Sequence, residues 1–173
     1  GTSYKELTYE AYGVGGVGLI INCLSDSNNR ATAEVNACVK KLGEKLSPSF
    51  KVGSSGSVLF NFERKGRLTL ASEMDEDRLI EVAIEAGVDD ADLGEVDEVA
   101  DGEEVKAVVL TAPGDLGALQ AALLAAGVEC AGGFVNVPLA TVDLSPEDLE
   151  MNLQAIDKLE EIDDVDRVEH NIR

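Results

Sequence analysis

The stretch Tyr9-Glu10-Ala11-Tyr12-Gly13-Val14-Gly15-Gly16-Val17-Gly18-Leu19-Ile20-Ile21-Asn22-Cys23-Leu24 decides how this chain begins to fold. Gly13, Gly15 and Gly18 match G-x-G-x-x-G letter for letter, the spacing of a dinucleotide-binding turn. Such a site needs the glycines to open a helix, whose first amides hold the pyrophosphate. Here they open Leu19 to Leu24, an almost wholly apolar run that reads as a central strand. Before them, Leu7, Tyr9 and Ala11 alternate with Thr8, Glu10 and Tyr12, the period of a half-buried strand. The glycines are therefore read as a tight hairpin between two strands, where positive φ is needed, and no cofactor is expected.

Outward from the hairpin, Ser25 to Asn29 has turn and cap chemistry and leads into a helix with Val35, Cys38, Val39 and Leu42 on one face. Pro48 and Gly53-Ser54-Ser55-Gly56 mark a loop. Val58, Phe60 and Phe62 then alternate as a strand, and Arg64-Lys65-Gly66 punctuates before Leu68 and Leu70. Leu79, Val82, Ala83 and Ala86 keep a helical period with Gly87 as C-cap. Val105 to Leu110 reads as a strand, and Pro113-Gly114-Asp115 opens a helix lined by Leu116, Leu119, Leu123 and Ala126. Val135, Val137 and Leu139 read as a strand, with Pro138 marking an edge or bulge. Ser145-Pro146-Glu147-Asp148 has the signature of a helix start, followed by Leu149, Leu153, Ile156 and Leu159. A last strand, Val165 to Ile172, ends the chain.

The opening ββαβ lacks a second helix to cover its sheet, and the closing αβ supplies one. The fold class predicted is α+β: two small βα-sandwich domains, the second inserted in the first. The expected boundaries are 1–66 plus 144–173 for the discontinuous domain and 67–143 for the insert.

Charge divides the chain. Of its 173 residues, 34 are acidic and 14 are Lys or Arg, a net charge of −20. Residues 1–67 hold nine basic and six acidic side chains, whereas residues 68–173 hold five and 28. Phosphate binding depends on Lys and Arg displacing counterions, so the second part repels nucleic acid. Only the first part is suited to face it. The absence of a long apolar run argues against membrane insertion. The three cysteines, Cys23, Cys38 and Cys130, show no C-x-x-C spacing and read as buried thiols in a reducing, intracellular setting. His170 is the only histidine, with no second ligand-type partner at metal or triad spacing. Neither an enzyme nor a metal site is expected.

Several segments, in order, carry a family likeness. Tyr9 to Val17 resembles the "YEGYGPGGV" stretch of the YebC/PmpR family, and Leu24 to Arg30 is similar to its "LTDNRNR". Ser57-Val58 with Phe62 to Gly66 resembles "GSVSYMFERKG", Val137 to Val142 "IPQNTV", and Leu159 to Val168 "LEDLDDVQNV". The resemblance implies an N-terminal helical domain, a second α/β domain, and a third inserted into the second. The family's basic opening, "HSKWANIKHRK", has no counterpart in these residues, so the likeness covers the second and third domains. It implies a transcriptional regulator, or a translation factor of the kind that activates cytochrome oxidase subunit synthesis in mitochondria.

On this reading the chain contacts nucleic acid or the ribosome through Tyr12, Gly13, Gly15, Gly16, Arg30, Lys40, Arg64, Lys65 and Arg67. The implied setting is cytoplasm for a bacterial protein and mitochondrial matrix or plastid stroma for a eukaryotic one. The competing reading is an acidic interaction subunit whose insert docks on a basic protein partner, without nucleic acid.

Overall fold

The computed structural model describes residues 3–173. Strands β1 (Lys5–Tyr12) and β2 (Gly18–Ser25) form an antiparallel hairpin, in register from Lys5 opposite Ser25 to Tyr12 opposite Gly18. Helix α1 (Asn28–Lys45) follows, its first turn capped by Ser27, whose hydroxyl accepts from the Arg30 amide. Next come β3 (Lys51–Val52), a 3-10 turn at Leu59–Asn61, and β4 (Phe62–Leu70). Helix α2 (Glu76–Ala86), β5 (Ala91–Gly94), β6 (Ala107–Thr111), α3 (Leu116–Ala125) and β7 (Cys130–Pro138) continue the chain. Helix α4 (Pro146–Glu160) and β8 (Val165–His170) close it.

Two four-stranded sheets result, ordered β3-β1-β2-β8 and β5-β6-β4-β7. The protein is α+β, and it divides into two compact units: residues 1–63 with 136–173, and residues 64–135. The junctions fall inside β4 and β7, earlier than periodicity had placed them. After the second junction, Asn136 already belongs to the first unit. Its amide and side chain donate to the Glu169 carboxylate on β8 at 2.7 and 2.8 Å.

In the first unit, α1 and α4 cover one face of the sheet. Val35, Val39 and Leu42 from α1 meet Ala155, Ile156 and Leu159 from α4 over Leu19, Ile21 and Cys23. The opposite face has its own small cluster, Ile20, Val58 and Phe62 with Tyr12 against it. The second unit packs α2 and α3 over Leu68, Leu70 and Val109, with Leu79, Leu119 and Leu123 buried between. The left-handed caps fall where Gly permits them: Gly87 ends α2 at φ 71°.

Three expectations need correction. The alternating Val58, Phe60 and Phe62 do not share a strand; Val58 and Phe60 lie on a turn, and β4 begins only at Phe62 and runs through Arg64-Lys65-Gly66. Glu10 supplies the reason. Its carboxylate on β1 accepts the amides of Gly56, Val58 and Leu59 at 2.7, 2.9 and 2.7 Å, turning those donors away from any ladder. Second, α4 is rotated from its expected face. Leu149 and Leu153 are exposed, and the buried positions are Asn152, Ala155, Ile156 and Leu159. Third, Leu139 lies beyond β7, which starts earlier, at Cys130.

The anchor at Glu10 has a pH signature. Burial would raise its carboxyl, but the three backbone donors outweigh that and hold it below the ordinary value. A depressed carboxylate adds stability above its unfolded pKa, which is lost as pH falls through the folded value. The urea midpoint of the wild type should therefore exceed that of Glu10→Gln most clearly above about pH 5. The gap is expected to shrink as pH drops below about 4. A gap independent of pH would show that the carboxylate charge is not what holds the turn.

Candidate functional site

The loop Gly13–Val17 joins β1 to β2, and its backbone is bound by two buried asparagines from the last part of the chain. Asn152, fully buried on α4, accepts the Val14 amide at 3.1 Å and donates to the Val14 carbonyl at 2.9 Å. Asn171, just past β8, accepts the Gly18 amide at 2.9 Å and donates to the Gly16 carbonyl at 3.3 Å. A carboxamide offers donor and acceptor together, so each asparagine satisfies an N–H and a C=O that the hairpin turn leaves over. The loop also closes on itself through Gly13 N–H to the Val17 carbonyl, 2.8 Å.

Glycine is needed here for two separate reasons. Gly15 and Gly16 sit at φ 78° and 84°, the left-handed region that costs a side chain strain. At Gly13 a Cβ would collide with the Asn152 carboxamide oxygen, so the clamp itself excludes a side chain.

Beside the hairpin lies a pocket of about 270 Å³, lined by Tyr12, Gly16, Gly18, Val58, Phe60 and Phe62, with Asn61 and Asn171 adding polar edges. Its lining contains no charged side chain. Phe60 stands at the rim, 77% exposed. The turn that carries Phe60 is fixed on one side by Glu10 and on the other by Asn61. The Asn61 side chain donates to the Ala140 carbonyl and accepts the Ala140 amide, at 2.9 and 3.1 Å, and the Leu139 amide donates to the Asn61 carbonyl at 2.7 Å. An exposed Leu139 is thereby held near the same turn. The Lys51 ammonium lies 5.9 Å from the centre of the Tyr12 ring.

Of the residues expected to contact nucleic acid or the ribosome, Tyr12, Gly13 and Gly16 meet at this pocket, and Gly15 is exposed on the same loop. Arg30 is engaged elsewhere. Its guanidinium makes a two-point pair with Asp164, both contacts 3.1 Å, and reaches Asp26 at 2.5 Å. Ser25 donates to the same Asp164 carboxylate at 2.8 Å, so Arg30 ties the start of α1 to the turn before β8. Hydrogen bonds from Arg30 and Ser25 hold the Asp164 carboxyl below its ordinary range. Lys40 is exposed on α1.

Arg64, Lys65 and Arg67 belong to the second unit, on β4. Arg64 stacks over the Phe134 ring at 4.6 Å, and Lys65 is half-buried. Arg67 forms a two-point pair with Asp101 at 2.8 and 2.6 Å. That pair is only partly exposed, and the Arg67 hydrogen bonds hold the Asp101 carboxyl low. Two of the expected phosphate-facing arginines are thus already neutralised by carboxylates of this chain. His170 accepts the Ile172 amide on its Nδ1 at 3.1 Å.

Residues 4–172 match the family described as TACO1/YebC second and third domain. The chain belongs to the TACO1/YebC family. A probable transcriptional regulatory protein of Chlamydia pneumoniae is 38% identical over 172 residues, covering 98% of this chain and 66% of its own length. Similar proteins of the same description come from Paracidovorax citrulli, 38% identical, and Chlamydia trachomatis serovar L2, 40% identical, with 66% of each covered. A crystal structure of a conserved hypothetical protein from Aquifex aeolicus superimposes with a TM-score of 0.77 at 32% identity, covering 100% of this chain and 66% of that one. The chain thus spans a little under two thirds of the length of these relatives.

Sequence reasoning missed Asn152, Asn171 and Phe60 as parts of this hairpin site. A signal existed for Asn152, since it keeps the helical period of Ala155, Ile156 and Leu159. Nothing marked Asn171. The clamp predicts that Asn152→Ala, which strands a buried amide and carbonyl, destabilises the protein by about 1–3 kcal/mol in urea unfolding. Leu153→Ala, one residue away on the exposed flank, should cost less than about 1 kcal/mol. Equal losses would mean that Asn152 acts only as helix packing.

Proposed function

We propose that this YebC-family chain is a non-enzymatic regulator of gene expression that acts by binding the ribosome or nucleic acid, with the hairpin pocket as a contact surface. The supporting observation is the pocket's character. In a chain of net charge −20, the surface formed by Tyr12, the glycine loop and Phe60 is concave, aromatic and free of carboxylates. Unstacked bases are bound by stacking on aromatic rings, at about 1–3 kcal/mol per base. Lys51 beside Tyr12 adds a cation at the edge. The names of the relatives, probable transcriptional regulatory proteins, agree with a regulatory role.

By the observed units, the first carries nine basic and seventeen acidic side chains and the second five and seventeen, balances of −8 and −12. Neither unit is a general polyanion binder, so recognition has to rest on local stacking and shape. The same balance favours a second reading, an acidic interaction subunit docking on a basic protein, because Arg30 and Arg67 are both held by carboxylates.

Ribosome co-sedimentation at low salt separates the two. On the first reading Phe60→Ala weakens association by about tenfold, the loss of roughly one stacked base. Lys51→Glu weakens it further and flattens its salt dependence. Association that survives both changes, or none at any salt, contradicts the proposal. Binding that is unchanged by Phe60→Ala but lost on neutralising acids of the second unit supports the acidic-subunit reading.

A further inference from the structure

On the helical side of the first unit, away from the hairpin, the C-terminal halves of α1 and α4 leave a groove of about 810 Å³ between them. Its floor is apolar: Cys38, Leu42 and Leu46 from α1 and the following turn, and Ile162 after α4. One lip is basic, with Lys41 and Lys45 on α1. The other lip carries Asp157, Lys158 and Glu161, of which Lys158 and Glu161 pair at 3.4 Å. Lys41 and Lys45 have no carboxylate partner among the described residues. In a chain with 34 acids against 14 bases, a groove lined by three lysines and two acids stands out.

This volume falls in the range of small-molecule sites, which are mostly apolar with a few placed polar groups. Two unpaired ammonium groups one helical turn apart above an apolar floor suit a ligand with one anionic head and an apolar body. The carboxylates of Asp157 and Glu161 repel an anionic head from the opposite lip and leave the lysine lip as its place. We propose that the α1–α4 groove binds an amphipathic monocarboxylate, such as a medium-chain fatty acid, with the carboxylate at Lys41 and Lys45 and the chain over Cys38, Leu42 and Ile162. The site is independent of the hairpin pocket and of what that pocket binds.

Cys38 serves as the reporter, because a chain lying on the floor covers its sulfur. Burial, then the nearby Glu161, pushes this thiol up, so its alkylation is slow and best followed at mildly alkaline pH. The full chain is treated with iodoacetamide, and modification is read at each cysteine by peptide mass spectrometry. The probe is dodecanoate below its micellar concentration.

Dodecanoate is expected to slow modification of Cys38 saturably while leaving Cys130, in the other unit, unchanged. Lys41→Glu with Lys45→Glu should raise the dodecanoate concentration needed for protection by at least about tenfold, the worth of a charge-assisted contact. Lys40→Glu, on the same helix but outside the groove lining, should leave it unaltered. Dodecanol should protect far less than dodecanoate. The proposal is overturned if dodecanoate gives no protection, if dodecanol protects equally, if the double lysine variant binds as wild type, or if Cys130 is slowed in parallel.

Discussion

Four backbone groups of a glycine turn, the Val14 and Gly18 amides and the Val14 and Gly16 carbonyls, are satisfied by two buried asparagines that arrive more than a hundred residues later. Buried backbone donors and acceptors without partners are costly, and a loop this rich in glycine has few side chains of its own to help. The turn between β1 and β2 is therefore complete only when α4 and the residue after β8 are in place. This constraint makes the first unit discontinuous in sequence. It also explains why α4 turns a polar residue, Asn152, toward the core in preference to Leu149 or Leu153.

A second polar contact shapes the other side of the hairpin. Glu10 collects three amides of the 56–59 turn, which sets Phe60 at the surface and starts β4 at Phe62. The exposed phenylalanine is thus held in place by charge-assisted hydrogen bonds from a strand that packs a core on its opposite face. The pocket between Tyr12 and Phe60 exists because two polar anchors, Asn171 and Glu10, fix its two walls. Elsewhere, carboxylates take up arginines: Asp164 and Asp26 hold Arg30, and Asp101 holds Arg67.

Where local periodicity and glycine chemistry decide the outcome, the sequence was legible. The G-x-G-x-x-G run read as a hairpin because apolar Leu19 to Leu24 follows it, and β2 is there. Ser145-Pro146 marked the start of α4, and Gly87 the end of α2. What was illegible depended on partners distant in sequence. Val58, Phe60 and Phe62 alternate like a strand, but no local signal announces that Glu10 will draw the intervening amides away. Basic residues read as candidates for phosphate turned out to include two with acidic partners 34 and 134 positions later. Asn171 carries half of the clamp and looks in sequence like any residue at the end of a strand.

The central claim is that the asparagine clamp, and no intrinsic preference of the glycine loop, orders the hairpin turn. Amide hydrogen exchange followed residue by residue in the full chain tests this most directly, because Val14 and Gly18 donate to carboxamide oxygens and to no backbone carbonyl in the ladder. The account predicts that both amides are protected to a degree comparable with the Ile20 and Ile21 amides of β2. Exchange of Val14 and Gly18 at the rate of an open loop, with β2 still protected, would contradict it.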